Sequence, residues 1–145
     1  MTEAQMRRPR RRPGENRERL VAAGILEFGT QGYHGAGTAA IAASADVPQP
    51  HVYASFEAKR DLFFACAERV STELLEPSAS SSVAHARFIY QAIAAARDPE
   101  LTEVLLPLLT QTRHELGEPG FSKLIADGAR ALLSEDAERS QVDAH

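Results

Sequence analysis

Only one cysteine, Cys66, occurs in the 145 residues, so no internal disulfide can form. It falls on an apolar helical stripe with no base nearby in sequence, where a thiol serves as a small core side chain. No apolar run reaches the ~18 residues of a membrane span, and the basic N-terminus is not followed by the apolar core and cleavage site of a secretory leader. A soluble, cytoplasmic protein is expected. Strand-like alternation of β-branched residues is scarce, whereas alanine- and leucine-rich segments with helical spacing are common, so the fold class is all-α. The five histidines (34, 51, 85, 114 and 145) share no metal-ligand spacing, and no glycine-rich phosphate loop is present. No metal, cofactor or catalytic residue is assigned, and an enzyme is not expected.

The length suffices for one compact domain, or for a small head with a helical body. The net charge of -4 is unevenly spread: residues 1–63 hold nine Lys and Arg against seven Asp and Glu, and residues 64–145 hold seven against thirteen. A weakly basic N-terminal part can approach phosphate while an acidic remainder stays off it.

Residues 1–14, MTEAQMRRPRRRPG, are arginine-rich and almost without apolar content. They are expected to form an unstructured arm whose Arg10, Arg11 and Arg12 lie along phosphates or enter a minor groove, the alternative being a solubilising tail. A first helix is expected from Asn16, as its N-cap, to Gln31. Leu20, Val21, Gly24, Ile25 and Phe28 share one face, Gly32 stops the helix, and Tyr33 turns back to the core.

The stretch TAAIAASADVPQPHVYASFEAK, residues 38–59, organises the rest. Thr38 opens a short helix, its hydroxyl capping a backbone N–H, and Ile41 and Ala45 point inward. Asp46 tolerates a left-handed backbone, Val47 is an apolar plug, and Pro48 disfavours helix at Val47, so a tight turn follows. A second helix begins at Gln49 or Pro50, with Val52 and Phe56 inside and Gln49, His51, Tyr53, Ala54 and Ser55 outside. Two short helices joined so tightly cross steeply, as in the helix-turn-helix that sets its second helix in the DNA major groove. The outer residues suit that use, because Gln and His can meet base edges, Tyr can reach a phosphate, and Ala and Ser do not obstruct. Two packed surface helices of an ordinary all-α domain are the alternative.

The run from Arg19 to Phe63 resembles the N-terminal domain of the TetR (tetracycline-repressor-like) family of bacterial transcriptional regulators. The resemblance rests on LVAAGILEFGTQGY, on Thr38, Ile41, Ala42, Ala45 and Val47, on VYASF, and on Lys59, Leu62 and Phe63. Asp46 stands where the family often has Gly, Gln49 and Pro50 where it often has a small or basic residue, and Ala58 where it often has Ser. The resemblance implies DNA contacts from Thr38, Gln49, Pro50, His51, Tyr53, Ala54 and Lys59, with Gln49 and His51 near base edges and Thr38, Tyr53 and Lys59 on phosphates. It also implies that the helix opened by Lys59 carries a signal from a ligand-binding, dimerising body to the DNA-binding head. The expected division is an arm at 1–14, a helix-turn-helix domain at 15–63 and a helical body at 64–145.

In that body Leu62, Phe63, Cys66, Val70 and Leu74 make one stripe ending at Pro77, and residues 78–82, SASSS, form a joint. Val83, Ala86, Tyr90 and Ile93 mark the next helix. Pro99 is placed to begin another, with Leu101, Val104, Leu105, Leu108 and Thr112 on one face and a kink or break at Pro107. Phe121, Leu124, Ile125, Gly128 and Leu132 make the last helix, and the chain is expected to fray from Ser134. This body is shorter than is usual for the family, which is consistent with truncation. The expected function is that of a sequence-specific regulator and ligand-responsive repressor, acting as a homodimer on a double-stranded operator and released by a small apolar effector. The alternative is a helical interaction module that kept the fold without operator binding.

Overall fold

The structure, a computed structural model, describes residues 11–77 and 82–143, with residues 135–143 as backbone only. Seven helices and no strand occur among the described residues: α1 Glu15–Gly35, α2 Thr38–Ala45, α3 Gln49–Ser55, α4 Lys59–Leu75, α5 Val83–Ala95, α6 Thr102–Leu116 and α7 Glu118–Asp143. The fold is all-α, a three-helix helix-turn-helix head followed by further helices. The joint expected at 78–82 lies outside the described residues except for Ser82, which caps α5: its hydroxyl accepts from the His85 N–H at 3.2 Å.

Helix α1 packs against α2, α3, α4 and α5, and α5 in turn against α7. Leu20, Val21 and Phe28 of α1 are fully buried, as the sequence spacing predicts. The N-cap is Gly14 in a left-handed conformation, not Asn16, because the Asn16 amide is drawn to Arg11 and His51 instead. Gly32 breaks the helical path at φ 77°, ψ 171°, a conformation open to glycine, and turns Tyr33 into the core.

Three phenylalanines from different helices tie the molecule together. The Phe63 ring of α4 meets Phe28 of α1 edge-on at 4.9 Å and Phe88 of α5 at 5.2 Å, and Tyr33 adds a further edge contact to Phe63 at 5.0 Å. Such pairs add about 0.5–1.5 kcal/mol each beyond their buried area. Between α4 and α6 the buried hydroxyls of Ser71 and Thr112 lie 3.0 Å apart, and Thr112 also reaches the Leu108 carbonyl at 2.8 Å.

Several expectations for the later helices need correction. The buried face of α5 is Ala86, Phe88, Ile89 and Ala92, while Val83, Tyr90 and Ile93 are exposed. Pro99 lies in a turn before α6, where the Asp98 carboxylate accepts from the Glu100 N–H and the Thr102 hydroxyl donates to the Asp98 carbonyl. Helix α6 runs through Pro107 unbroken: Pro107 and Glu103 both face solvent, so water can satisfy the carbonyl that the missing N–H leaves open. Its buried residues include Leu105, Leu109 and Thr112, with Val104 outside and Leu108 half-buried. Finally, α7 continues past Ser134 to Asp143.

Helix α7 packs tightly on α5 at Gly128, where a Cβ would clash with the Ala86 carbonyl. Backbone cannot yield there. Gly128→Ala should therefore destabilise the protein by about 1–3 kcal/mol in urea unfolding. Gly120→Ala, on the same helix with only Leu116 Cβ at 4.0 Å, should be neutral or stabilising by up to ~1 kcal/mol. Equal effects of the two substitutions would contradict this packing.

Candidate nucleic-acid interface

Helix α2 stops because Asp46 takes a left-handed conformation, φ 55°, ψ 47°. That turn lets the N–H groups of Asp46 and Val47 fold back onto the carbonyls of Ala43 and Ala42, at 3.2 and 3.0 Å. Val47 plugs the core, Pro48 leaves the turn extended, and Pro50 sits in the first turn of α3, where its missing N–H breaks no helical bond. Thr38 opens α2, but the N-cap is Gly37, and the Thr38 hydroxyl lies 3.5 Å from the Tyr53 hydroxyl instead of capping.

Helix α3 is seven residues long and held from behind. Val52 is buried within it, and Phe56, buried just after it in extended backbone, returns its N–H to the Val52 carbonyl at 2.8 Å. Outward stand Gln49, Pro50, His51, Tyr53 and Ala54, all exposed, with Ser55 half-buried. No acid lies within α3.

The other expected residues are placed differently. Arg10 is outside the described residues. Arg12 is exposed, its N–H donating to Glu15 Oε2 at 3.0 Å. Arg11, expected in an unstructured arm, is folded onto the head: Nη2 donates to the Asp46 carbonyl at 2.6 Å and approaches its carboxylate at 3.3 Å, while Nη1 donates to Asn16 Oδ1 at 2.7 Å. Lys59 opens α4, and its ammonium lies 4.9 Å from the Tyr33 ring centre and 3.5 Å from the His34 carbonyl. Partial burial pulls its pKa below the usual lysine range, against an opposing pull from Glu100.

Sequence reasoning missed two residues at this interface. Arg19 Nε donates to the Ala45 carbonyl at 2.9 Å, satisfying the end of α2, and the Asn16 amide nitrogen lies 3.4 Å from His51 Nδ1. Asn16 and Arg19 are three apart on α1 and so share a face, which was the available signal. Asp61 was missed too. Its carboxylate accepts from the Ala58 N–H at 3.0 Å, the half of a capping box that an alanine still permits.

Where the first helix ends, His34 Nε2 pairs with Asp98 Oδ2 at 2.7 Å. The Asp98 carboxyl is held below its usual range, first by the Glu100 backbone N–H and then by His34. Burial, with Glu100 nearby, pushes the Tyr33 hydroxyl up to about 12, so it stays neutral. No group of His, Cys, Asp or Glu able to hold a metal ion occurs among the described residues. No described helix is long and apolar enough to cross a membrane.

A tight turn between two short helices, the second backed by apolar anchors and polar outside, is the geometry of a helix-turn-helix. Residues 20–66, about a third of the chain, match the family described as bacterial regulatory proteins, tetR family, and this segment holds α1, α2, α3 and the start of α4. A similar solved structure is that of the multidrug binding protein EbrR complexed with imidazole, at 24% identity over 82% of this chain and 71% of that chain, with a TM-score of 0.38. A search of curated proteins finds no match.

Cys66 packs where Gly24 admits it: a Cβ on Gly24 would stand 2.7 Å from the sulfur. The thiol is fully buried, donates to the Val21 carbonyl at 3.5 Å, and has its pKa pushed well up by burial. It should react with a thiol reagent only after unfolding, by both counts a poor nucleophile. Rapid labelling of the native protein would contradict this placement.

Proposed function

We propose that the chain is a sequence-specific, ligand-responsive repressor, built as an N-terminal arm (1–14), a helix-turn-helix domain (15–63) and a helical body (64–145). Two copies form a homodimer in the cytoplasm and set their α3 helices in successive major grooves of an operator. Gln49 and His51 face base edges, with Pro50 and Ala54 beside them permitting close approach. Thr38 and Tyr53, whose hydroxyls already lie together, bind phosphate. Arg10 and Arg12 extend along the backbone while Arg11 stays on Asn16 and Asp46, and Lys59 joins them by leaving the Tyr33 ring. The observation that carries this reading is the exposed polar face of α3, with Val52 and Phe56 buried behind it.

The effector site we favour is a cleft of about 310 Å³ between α4 and α6, lined among others by Glu68, Ser71, Thr72, Leu75, Leu108 and Gln111. Hydroxyls and the two carboxylates of Glu68 and Glu115 beside two leucines suit a small amphipathic molecule better than the wholly apolar one expected from sequence. An occupant that spreads α4 from α6 changes the tilt of the helix leading to the turn. Any such ligand that weakens DNA binding must itself bind the DNA complex less well by the same factor.

Gel shifts at fixed salt, on a duplex selected from a random pool and on a scrambled one, test the DNA reading. Tyr53→Phe should weaken both complexes by on the order of 1 kcal/mol, a phosphate hydrogen bond being indifferent to sequence. Gln49→Ala should weaken the selected complex and leave the scrambled one nearly unchanged. Equal losses on both duplexes for both variants would count against the assignment.

A further inference from the structure

The contacts around His51 determine more than its position. A guanidinium can only donate, so the Asn16 atom 2.7 Å from Arg11 Nη1 must be the amide oxygen. Arg11 is itself anchored: its other nitrogen donates to the Asp46 carbonyl at 2.6 Å, and its side chain is only 21% exposed. With the oxygen so engaged, the Asn16 atom facing His51 Nδ1 at 3.4 Å is the amide nitrogen, which can also only donate. Nδ1 must therefore accept, and the neutral ring carries its proton on Nε2, at the other side of an exposed side chain.

We propose that Arg11 and Asn16 are positioning residues for sequence readout. Together they set the tautomer of His51, so that α3 offers the major groove a hydrogen-bond donor at this point and not an acceptor. The inference rests on the DNA-binding reading above and deepens it to a class of base. In the major groove guanine presents two adjacent acceptors, N7 and O6, adenine one (N7) beside a donor, thymine one (O4) beside a methyl group, and cytosine only the N4 donor, so a donor has most to gain at guanine and nothing to meet at cytosine. At the base pair that His51 faces, guanine is the preferred partner and cytosine is rejected. Arg11 thus acts from the arm without touching the base, and Asp46 serves the relay as its anchor.

Ring nitrogen NMR of the free protein, at a pH above the ordinary histidine range, tests the relay without DNA. The wild type should show an unprotonated Nδ1 at His51. Asn16→Asp, equal in size but presenting only acceptors, should place a proton on Nδ1. An Nδ1 that stays unprotonated in Asn16→Asp would overturn the relay. The second measurement is selection from randomised duplexes by the wild type, His51→Ala and Asn16→Ala. The wild type should enrich guanine at one position per half-site. His51→Ala should lose that preference alone, and Asn16→Ala should reduce it about threefold to tenfold, the worth of one hydrogen bond, with other positions unchanged. Uniform changes across the site, or none in Asn16→Ala, would overturn the relay while leaving DNA binding intact. Failure of the wild type to enrich any sequence would overturn the DNA reading and the relay together.

Discussion

A helix of seven residues has almost no stability of its own, since nucleation costs more than so few hydrogen bonds return. The direction in which α3 points is therefore set by what grips it: the buried side chains of Val52 and Phe56, the Val47 plug, and the left-handed turn at Asp46. Remove that grip and the polar face outside has no defined orientation. Arg11 and Arg19 strengthen it from α1 and the arm by taking up the carbonyls that α2 leaves open at Ala45 and Asp46. The arginine-rich segment is thus part of the scaffold at its inner end, and the turn is stapled as well as folded.

The same logic extends from α3 into the rest of the molecule. Phe63, four residues into α4, touches rings of α1 and α5, so the helix that follows the turn cannot tilt without disturbing the central aromatic cluster. A second contact layer lies near the surface, where Lys59 rests on Tyr33 and His34 pairs with Asp98 from the loop before α6. These contacts join the end of α1, the start of α4 and the α5–α6 loop at one place. Exposed pairs of this kind contribute little to stability, and their use lies in being exchangeable. If Lys59 is to meet a phosphate, it must give up Tyr33, which links DNA contact to the position of α4.

Much of the architecture was legible because its signals are local. Gly32 and Asp46 mark backbone conformations that most residues avoid, and Pro50 marks a first helical turn, so the helix-turn-helix could be laid out from sequence with its inner and outer residues in order. The 3.6-residue spacing likewise gave the buried face of α1. It failed for α5, where apolar residues surround the helix and periodicity cannot choose between Val83, Tyr90 and Ile93 and the face that α1 and α7 cover. Pro107 misled because the effect of proline depends on whether its partner carbonyl meets water, a matter of tertiary placement. The roles of Asn16 and Arg19 were hidden for a related reason: both act on residues more than 20 positions away in sequence. Which bases or phosphates the exposed residues meet is a property of the complex, and only the chemistry of the side chains foretells it.

Dimethyl sulfate footprinting on a selected duplex bears most directly on the claim that α3 enters the major groove, because guanine N7 lies there and adenine N3 lies in the minor groove. The account predicts protection of guanine N7 in two patches on one face of the duplex, centred about one helical turn, ~34 Å, or a multiple of it apart. Unprotected guanine N7 throughout a tightly bound duplex, or protection confined to adenine N3, would contradict it.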